Sequence, residues 1–99
     1  MIHHIVMFRL EDGAESAATL AKRFKGAIEA LPAQIEELDS VAVHLDCGAI
    51  AGNWTMVLEA VCRDNAALAA YSAHPAHLAC VAIIKPQLAG RACVDFEEA

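Results

Sequence analysis

The sequence predicts an α+β protein of the ferredoxin-like type, with elements in the order β-α-β-β-α-β and a four-stranded antiparallel sheet that carries its helices on one face. Three observations indicate this fold. Short runs of β-branched and aromatic residues occur at the start, in the middle and at the end of the chain. An amphipathic stretch follows the first run, and a second helical stretch, broken by a proline, follows the third. The 99 residues have room for one domain, predicted to cover 1–99.

The first predicted strand is IHHIVMFRL, from Ile2 to Leu10, and both of its alternating sets are largely apolar. His4 shares a face with Val6 and Phe8, whereas His3 points to the opposite face. After the turn signal EDG, apolar residues recur at steps of three and four until Pro32, which predicts an amphipathic helix. These apolar residues are Ala17, Leu20, Ala21, Phe24, Ala27, Ile28 and Leu31.

Two further strands are predicted in the middle of the chain. The alternation VAVHL within Ile35 to Asp46 is weaker, and the loop CGAIAGN follows it with two glycines. The run WTMVLEAVC, from Trp54 to Cys62, alternates more clearly. Met56 and Leu58 belong to the same alternating set of this run.

The second helical stretch is predicted as two helices. Asp64 is a plausible N-cap for a short helix that ends before Pro75, because a proline ring disfavours helical geometry in the preceding residue. The side chain of His74 can then cap the next helix, which Pro75 opens and Pro86 ends. The strand Arg91 to Phe96 closes the chain.

Apolar residues on both faces of three strands predict a partner. An antiparallel sheet normally exposes one face to water, and here that face also carries hydrophobic side chains. The simplest cover is a second copy of the same sheet, which gives a two-fold symmetric homodimer. The residues concerned are Ile5, Met7, Val57, Val61, Cys93, Val94 and Phe96.

The charge pattern argues against several partners. The formal net charge is −6 and the chain has no run of lysine or arginine, so neither nucleic acid nor an anionic membrane surface is expected to bind. The longest apolar run, Leu78 to Ile84, is far shorter than the ~20 residues of a membrane span. No cationic leader precedes an apolar segment, and a cytoplasmic location is expected.

The cysteines predict neither a metal site nor a redox site. Cys47, Cys62, Cys80 and Cys93 form no CxxC pair, and we expect buried, reduced thiols. His77 and Cys80 lie one helical turn apart, and His74 is close in sequence, but a convincing further ligand is missing. Nucleotide and phosphate motifs are also absent from the sequence. No metal and no cofactor are therefore expected.

Several segments resemble the stress-responsive A/B barrel domain family of the dimeric α+β barrel superfamily. The resemblance covers essentially the whole chain and implies a homodimer in which two four-stranded sheets pack into a barrel. The segments are the opening HHIVMFRL, Leu31-Pro32, the element Tyr71-x-x-His74-Pro75-Ala76-His77, the IIKP at Ile83 to Pro86, Arg91, and Val94-Asp95-Phe96.

The resemblance also implies site residues. One plant member of the family is a cofactor-free polyketide cyclase, and its tyrosine and histidine match Tyr71 and His77, while a pocket histidine matches His4. Phe24 stands where that enzyme has a tyrosine, and Met56 stands where it has a histidine. The same cyclisation is therefore not implied.

The residues themselves favour His77 as the reactive group. It lies in the first turn of a predicted helix, where the helix dipole disfavours imidazolium, and a neutral imidazole can act as a base. Tyr71 can donate a hydrogen bond to a developing oxyanion. The alternative is that the Tyr71 hydroxyl and the His77 ring only satisfy each other or nearby backbone. Asp95 either orients a histidine or has an edge or capping role.

Two functions follow from these residues. We expect a small apolar pocket in each subunit that binds a small hydrophobic or aromatic molecule, lined by His4, Val6, Phe8, Phe24, Met56, Tyr71 and His77. Asp95 is counted with the pocket or binding residues. The protein is then a cofactor-free lyase, cyclase or monooxygenase-like enzyme. The alternative is a noncatalytic stress-response protein stabilised by dimerisation, in which the His-Pro-x-His element is structural.

Overall fold

A computed structural model describes residues 1–99 and confirms the ferredoxin-like fold. Four strands form one antiparallel sheet in the order β2-β3-β1-β4. The strands are β1 (Ile2–Leu10), β2 (Ser40–Leu45), β3 (Met56–Cys62) and β4 (Leu88–Glu97), and the helices are α1 (Ala17–Ile28), α2 (Asn65–Ala73) and α3 (Pro75–Ile84). Short 3-10 turns at Leu31–Ala33 and Lys85–Gln87 precede β2 and β4.

The sheet has a helix face and an open face. In β1 every second residue, from Ile2 to Leu10, is buried beneath the helices, and His4 belongs to this set. The opposite set forms the open face, which no element of the chain covers. Val94 is 64% exposed and Phe96 is 42% exposed there. The apolar residues of the open face are Ile5, Met7, Val57, Val61, Ala92, Val94 and Phe96.

Helix α1 supplies much of the core. Its buried residues are Leu20, Ala21, Phe24 and Ile28. The ring of Phe24 meets that of Phe8 edge to face, with centroids 5.5 Å apart. The α-helix ends at Ile28, earlier than predicted, and Leu31 is buried from the following 3-10 turn, which contains Pro32.

Two side chains at the end of α1 hydrogen-bond to the edge strand β2. The Val43 N–H donates to Glu29 Oε2 at 2.8 Å, and Lys25 Nζ donates to the Val43 carbonyl oxygen at 2.5 Å. Lys25 also donates to Glu29 and holds the pKa of that carboxyl below its usual range. Backbone groups of an edge strand that would otherwise be unpaired are satisfied in this way.

The break between α2 and α3 follows the prediction. Asp64 caps α2 by accepting from the Ala67 N–H at 2.8 Å, and His74 Nδ1 accepts from the Ala76 N–H at 3.0 Å at the start of α3. No single helix is long and apolar enough to cross a membrane. Only Asn65–Ala73 and Pro75–Gln87 taken together pass that test, by length and composition, and a bend of 63° separates them.

Strand β4 is longer than predicted because its pairing with β1 starts before Arg91. Leu88 pairs with Leu10 and Gly90 with Arg9, across an irregularity in the register. The ring of Trp54 packs against Gly90 so closely that a Cβ there would lie 3.1 Å from it. Trp54 itself lies in the loop before β3.

The four cysteines are all unpaired, but only two of them are buried. Cys62 and Cys80 lie in the core, as predicted. The prediction of a buried thiol is wrong for Cys47, which lies in the loop after β2, and for Cys93. Cys93 is on the edge strand β4, most of which the helices leave exposed.

Candidate functional site

A cavity of about 130 Å³ lies between the helix face of the sheet and the helices. Side chains of β1, α1 and α3 form most of its apolar wall. Its polar groups come from β1, from the segment around the break between α2 and α3, and from β4. The lining residues are His4, Val6, Phe8, Phe24, Ile28, Leu58, Tyr71, Ser72, His77, Val81, Leu88 and Arg91.

The hydrogen bond of His77 fixes its tautomer. Its Nδ1 lies 2.9 Å from the backbone carbonyl oxygen of Ser72. A carbonyl oxygen only accepts, so Nδ1 carries the proton, and Nε2 of the neutral ring keeps its lone pair. The chain offers no hydrogen-bond partner to this Nε2.

Burial lowers the pKa of His77, although the Ser72 bond opposes the shift. The positive charges that His4 and Arg91 can carry lower this pKa further. The direction agrees with the sequence prediction, and desolvation of the half-buried ring is its main cause.

Tyr71 stands beside His77 in the wall of the cavity. The two rings are 4.6 Å apart between centroids and tilted by 55°. Burial raises the pKa of Tyr71, so its hydroxyl keeps its proton at neutral pH and can donate. This hydroxyl has no hydrogen-bond partner within the chain. Every fully buried side-chain nitrogen or oxygen of the protein has such a partner, so the hydroxyl is not fully buried and is accessible from the cavity. It does not bond to His77, so the two side chains do not satisfy each other. His77 does bond to nearby backbone, which the alternative also allowed.

His4 and Asp95 form a pair on the helix face. They are opposite each other in the β1–β4 register, and His4 Nδ1 lies 2.5 Å from Asp95 Oδ1. His4 holds the pKa of Asp95 below its usual range, so the carboxylate is ionised and accepts the Nδ1 proton. Asp95 therefore orients His4, one of the two roles considered for it, and lies outside the cavity wall.

The family assignment rests on a match over nearly the whole chain. The profile of the stress responsive A/B barrel domain matches residues 2–98. The chain belongs to this family. No curated protein matches the chain.

Solved structures similar to this A/B barrel chain include two proteins described as dimeric, of unknown function. One, from Bacteroides fragilis, is 33% identical with a TM-score of 0.90, and the match covers 98% of this chain and 95% of that chain. The other, from Thermobifida fusca, is 36% identical with a TM-score of 0.83, over 98% and 90%. An antibiotic biosynthesis monooxygenase is 14% identical with a TM-score of 0.80, over 100% and 99%, and shares the fold.

Two predicted pocket residues of this A/B barrel domain, Met56 and Asp95, lie outside the cavity wall. Val6, Phe8 and Phe24 line the cavity, but Met56 does not. Met56 is buried at the start of β3, where it pairs with Phe8. It contributes instead to a second cavity of about 430 Å³ between the open face and the loop after β2, with Met7, His44 and Trp54.

Arg91 is the main lining residue that sequence reasoning did not assign to the site. It lies opposite Phe8 in the β1–β4 register, which places it on the helix face. Because neighbouring residues of a strand point to opposite faces, the sequence places Arg91 and Ala92 on different faces of the sheet. The register that brings Arg91 opposite Phe8 is not visible in the sequence. The other unassigned lining residues are Ile28, Leu58, Ser72, Val81 and Leu88.

The metal ligands considered from the sequence do not come together. His74 Nδ1 accepts from the Ala76 N–H, and His77 Nδ1 bonds to Ser72. A different set, His4, Cys93 and Asp95, brings three ligand atoms within 4.8 Å of one another.

Proposed function

We propose that this A/B barrel protein binds one small hydrophobic or aromatic molecule in each subunit and moves a proton on it without a cofactor. His77 is the base and Tyr71 the hydrogen-bond donor. The observation that carries the proposal is the unpartnered Nε2 of a neutral His77 beside the unpartnered hydroxyl of Tyr71, in a cavity whose walls are largely apolar. Two free polar groups in a largely apolar cavity are suited to a ligand that has a matching polar atom.

The size of the cavity limits the ligand. A dry cavity of roughly 150 Å³ in another protein accommodates benzene, and the cavity beside His77 is about 130 Å³. A compound with one six-membered ring is therefore the largest that fits without movement of the walls. Extended polyketide chains are too large for the cavity in this state.

The geometry supports proton abstraction next to a carbonyl group. His77 Nε2 takes the proton from carbon, and the electron pair moves toward the carbonyl oxygen, where the Tyr71 hydroxyl donates a hydrogen bond. The guanidinium of Arg91 adds positive charge at the wall, which favours the developing oxyanion. The resulting enolate can be reprotonated, cyclised or cleaved, and this step is shared by lyases and cyclases.

We propose further that the protein is a homodimer. The open face exposes Met7, Val94 and Phe96, and the similar Bacteroides and Thermobifida proteins are described as dimeric. A second copy packed on this face would bury these side chains and close the barrel. A noncatalytic, dimer-stabilised protein remains the second candidate, because the His77–Ser72 and His74–Ala76 bonds also brace the break between α2 and α3.

Exchange of the α-protons of cyclohexanone in heavy water tests the proposal. This ketone has one ring and the required carbonyl, and NMR follows replacement of its protons by deuterium. We expect the protein to accelerate the exchange, His77→Asn to abolish the acceleration, and Tyr71→Phe to reduce it by about 10²-fold, the usual loss for one oxyanion donor.

His74→Asn is the matched control for the exchange experiment. It removes a histidine three positions from His77, and asparagine preserves the helix cap. Equal exchange rates in the parent, His77→Asn and Tyr71→Phe would refute the assigned roles. Clear destabilisation of both variants, without any effect of the parent on the ketone, would favour the noncatalytic candidate.

A further inference from the structure

We propose that His4, Cys93 and Asp95 form a binding site for a divalent transition metal ion, most suited to Zn²⁺, at the β1–β4 edge of the cavity. The ligand atoms are His4 Nδ1, Cys93 Sγ and Asp95 Oδ1, and all three lie within 4.8 Å of one another. This is the one group of three potential metal ligands in the chain that meets this condition. The site goes beyond the proposed proton transfer, because neither His77 nor Tyr71 takes part in it.

The backbone brings these ligands together without a loop. His4 and Asp95 are register partners across β1 and β4, and Cys93 pairs with Val6, the next residue on the same face. Cys93 and Asp95 are two positions apart in one strand, so their side chains point the same way. Two paired strands therefore supply all three ligands, and rigid elements hold a metal site more precisely than loops do.

The distances already approach those of a tetrahedral site. With bonds of about 2.0 Å to nitrogen and oxygen and about 2.3 Å to sulfur, neighbouring ligand atoms stand about 3.3 to 3.6 Å apart. Cys93 Sγ lies 3.4 Å from His4 Nδ1 and 3.5 Å from Asp95 Oδ1. Only the His4–Asp95 separation, 2.5 Å, must widen, and the Asp95 side chain is exposed enough to move.

The ligand types select the class of ion. Imidazole and thiolate favour zinc and similar transition metals over Mg²⁺ and Ca²⁺, which prefer oxygen ligands. Three protein ligands leave a fourth position for water or another small ligand, as in catalytic zinc sites. Arg91, two residues before Cys93 on the same face, opposes the bound charge and limits the affinity.

The protons balance as follows. Cys93 gives up its thiol proton to solvent, and His4 coordinates as the tautomer that carries its proton on Nε2, which leaves Nδ1 free for the ion. The Asp95 carboxylate carries no proton and exchanges its bond with Nδ1–H for a bond to the ion. Because Nδ1 serves both arrangements, the His4–Asp95 hydrogen bond and the metal site exclude each other.

Titration of the reduced, tag-free protein with Co²⁺ tests the proposal. Cobalt replaces zinc in such sites, and a thiolate ligand gives a charge-transfer absorption band in the near ultraviolet. We expect one Co²⁺ per chain with this band, and displacement by Zn²⁺. Cys93→Ser should abolish the band, and Asp95→Asn should weaken binding at least about tenfold.

Cys47→Ser is the matched control, because Cys47 is the other exposed cysteine and lies outside the cluster. Circular dichroism checks that each variant is folded. Absence of the band in the parent at millimolar Co²⁺ would overturn the proposal, and so would a band that survives Cys93→Ser or disappears in Cys47→Ser. His77→Asn should bind Co²⁺ like the parent, so the result is independent of the proton-transfer proposal.

Discussion

The Nδ1 atom of His77 donates its proton to the backbone carbonyl oxygen of Ser72, at 2.9 Å, across the break between α2 and α3. Pro75 creates this break, because the residue before a proline leaves the helical conformation. The break frees the carbonyl groups at the end of α2, and one of them accepts from the histidine in the first turn of α3. A feature of helix termination thus sets which nitrogen of His77 faces a ligand as a base.

The lowered pKa of His77 predicts a pH dependence of stability. The unfolded chain takes up the proton near the ordinary histidine pKa of 6.5, whereas the folded chain resists it, mainly through burial. The contribution to the free energy of unfolding is therefore full above about pH 6.5 and is lost as pH falls through the lower folded pKa. The side chains around the His77 ring are those of Tyr71, His4 and Arg91. None of them supplies a negative charge, which would stabilise the protonated ring and raise its pKa.

Urea unfolding between about pH 5 and pH 8 measures the effect. The parent should lose stability toward the acid end, and His77→Asn should lose less. Asp95 also has a lowered pKa, but its carboxyl titrates below its ordinary value of 3.8, outside this range. Identical pH profiles for the two proteins would contradict the prediction.

Local patterns were sufficient to predict the order of the strands and helices. The period-two alternation of β1 placed His4 on the buried face and His3 on the other, and Pro75 marked the helix break. It was harder to predict which residues of one strand face lie at the level of the cavity. Met56 and Leu58 belong to one alternating set, yet only Leu58 reaches the cavity, because it lies two residues farther along β3, opposite Val6.

Groups that meet through non-local pairing could not be predicted. Arg91 and Cys93 reach the site through the β1–β4 register, which joins residues at opposite ends of the chain. The sequence predicted Cys93 as a buried thiol, since it could not indicate that the helices leave β4 exposed. Likewise, the bond from His77 goes to the backbone carbonyl of Ser72, a group that every residue carries. The sequence therefore could not indicate which nitrogen of His77 carries the proton.

The exposed apolar residues of the open face predict a dimer, and a single charged substitution on that face should disrupt it. Val94 is 64% exposed at the centre of β4, and Val94→Asp would bury a carboxylate in the proposed interface. Light scattering should give about twice the chain mass of 10.5 kDa for the parent and the monomer mass for the variant. Leu78→Asp is the control, since Leu78 is 54% exposed on α3, away from the sheet. A monomeric parent would refute the dimer.

The cap of α2 makes a separable contribution to stability. Asp64 Oδ1 accepts from the Ala67 N–H, and Asp64→Ala should lower the free energy of unfolding by about 1 kcal/mol. Asp64→Asn retains an acceptor oxygen and should lose much less. Chemical denaturation compares the three proteins. A loss in Asp64→Asn as large as that in Asp64→Ala would show that the charge, and not the cap, matters.

Filling the cavity should remove ligand binding while His77 and Tyr71 stay in place. Val81 lines the cavity one helical turn after His77, on the same side of α3. Val81→Phe would place a ring in the space that a one-ring ligand needs. Because the space is open, we expect the cost to stability to stay within the roughly 1–3 kcal/mol of overpacking.

Leu78→Phe is the matched control for this variant, because it adds a ring to α3 at a position that is 54% exposed. Ligand-observed NMR with phenol as the probe should detect binding to the parent and to Leu78→Phe, and none to Val81→Phe. Phenol that binds equally to all three proteins would instead occupy the larger cavity on the open face, where Trp54 and His44 contribute to the wall. In that case the cavity beside His77 would not be the ligand site, and the proton-transfer role would lose its basis.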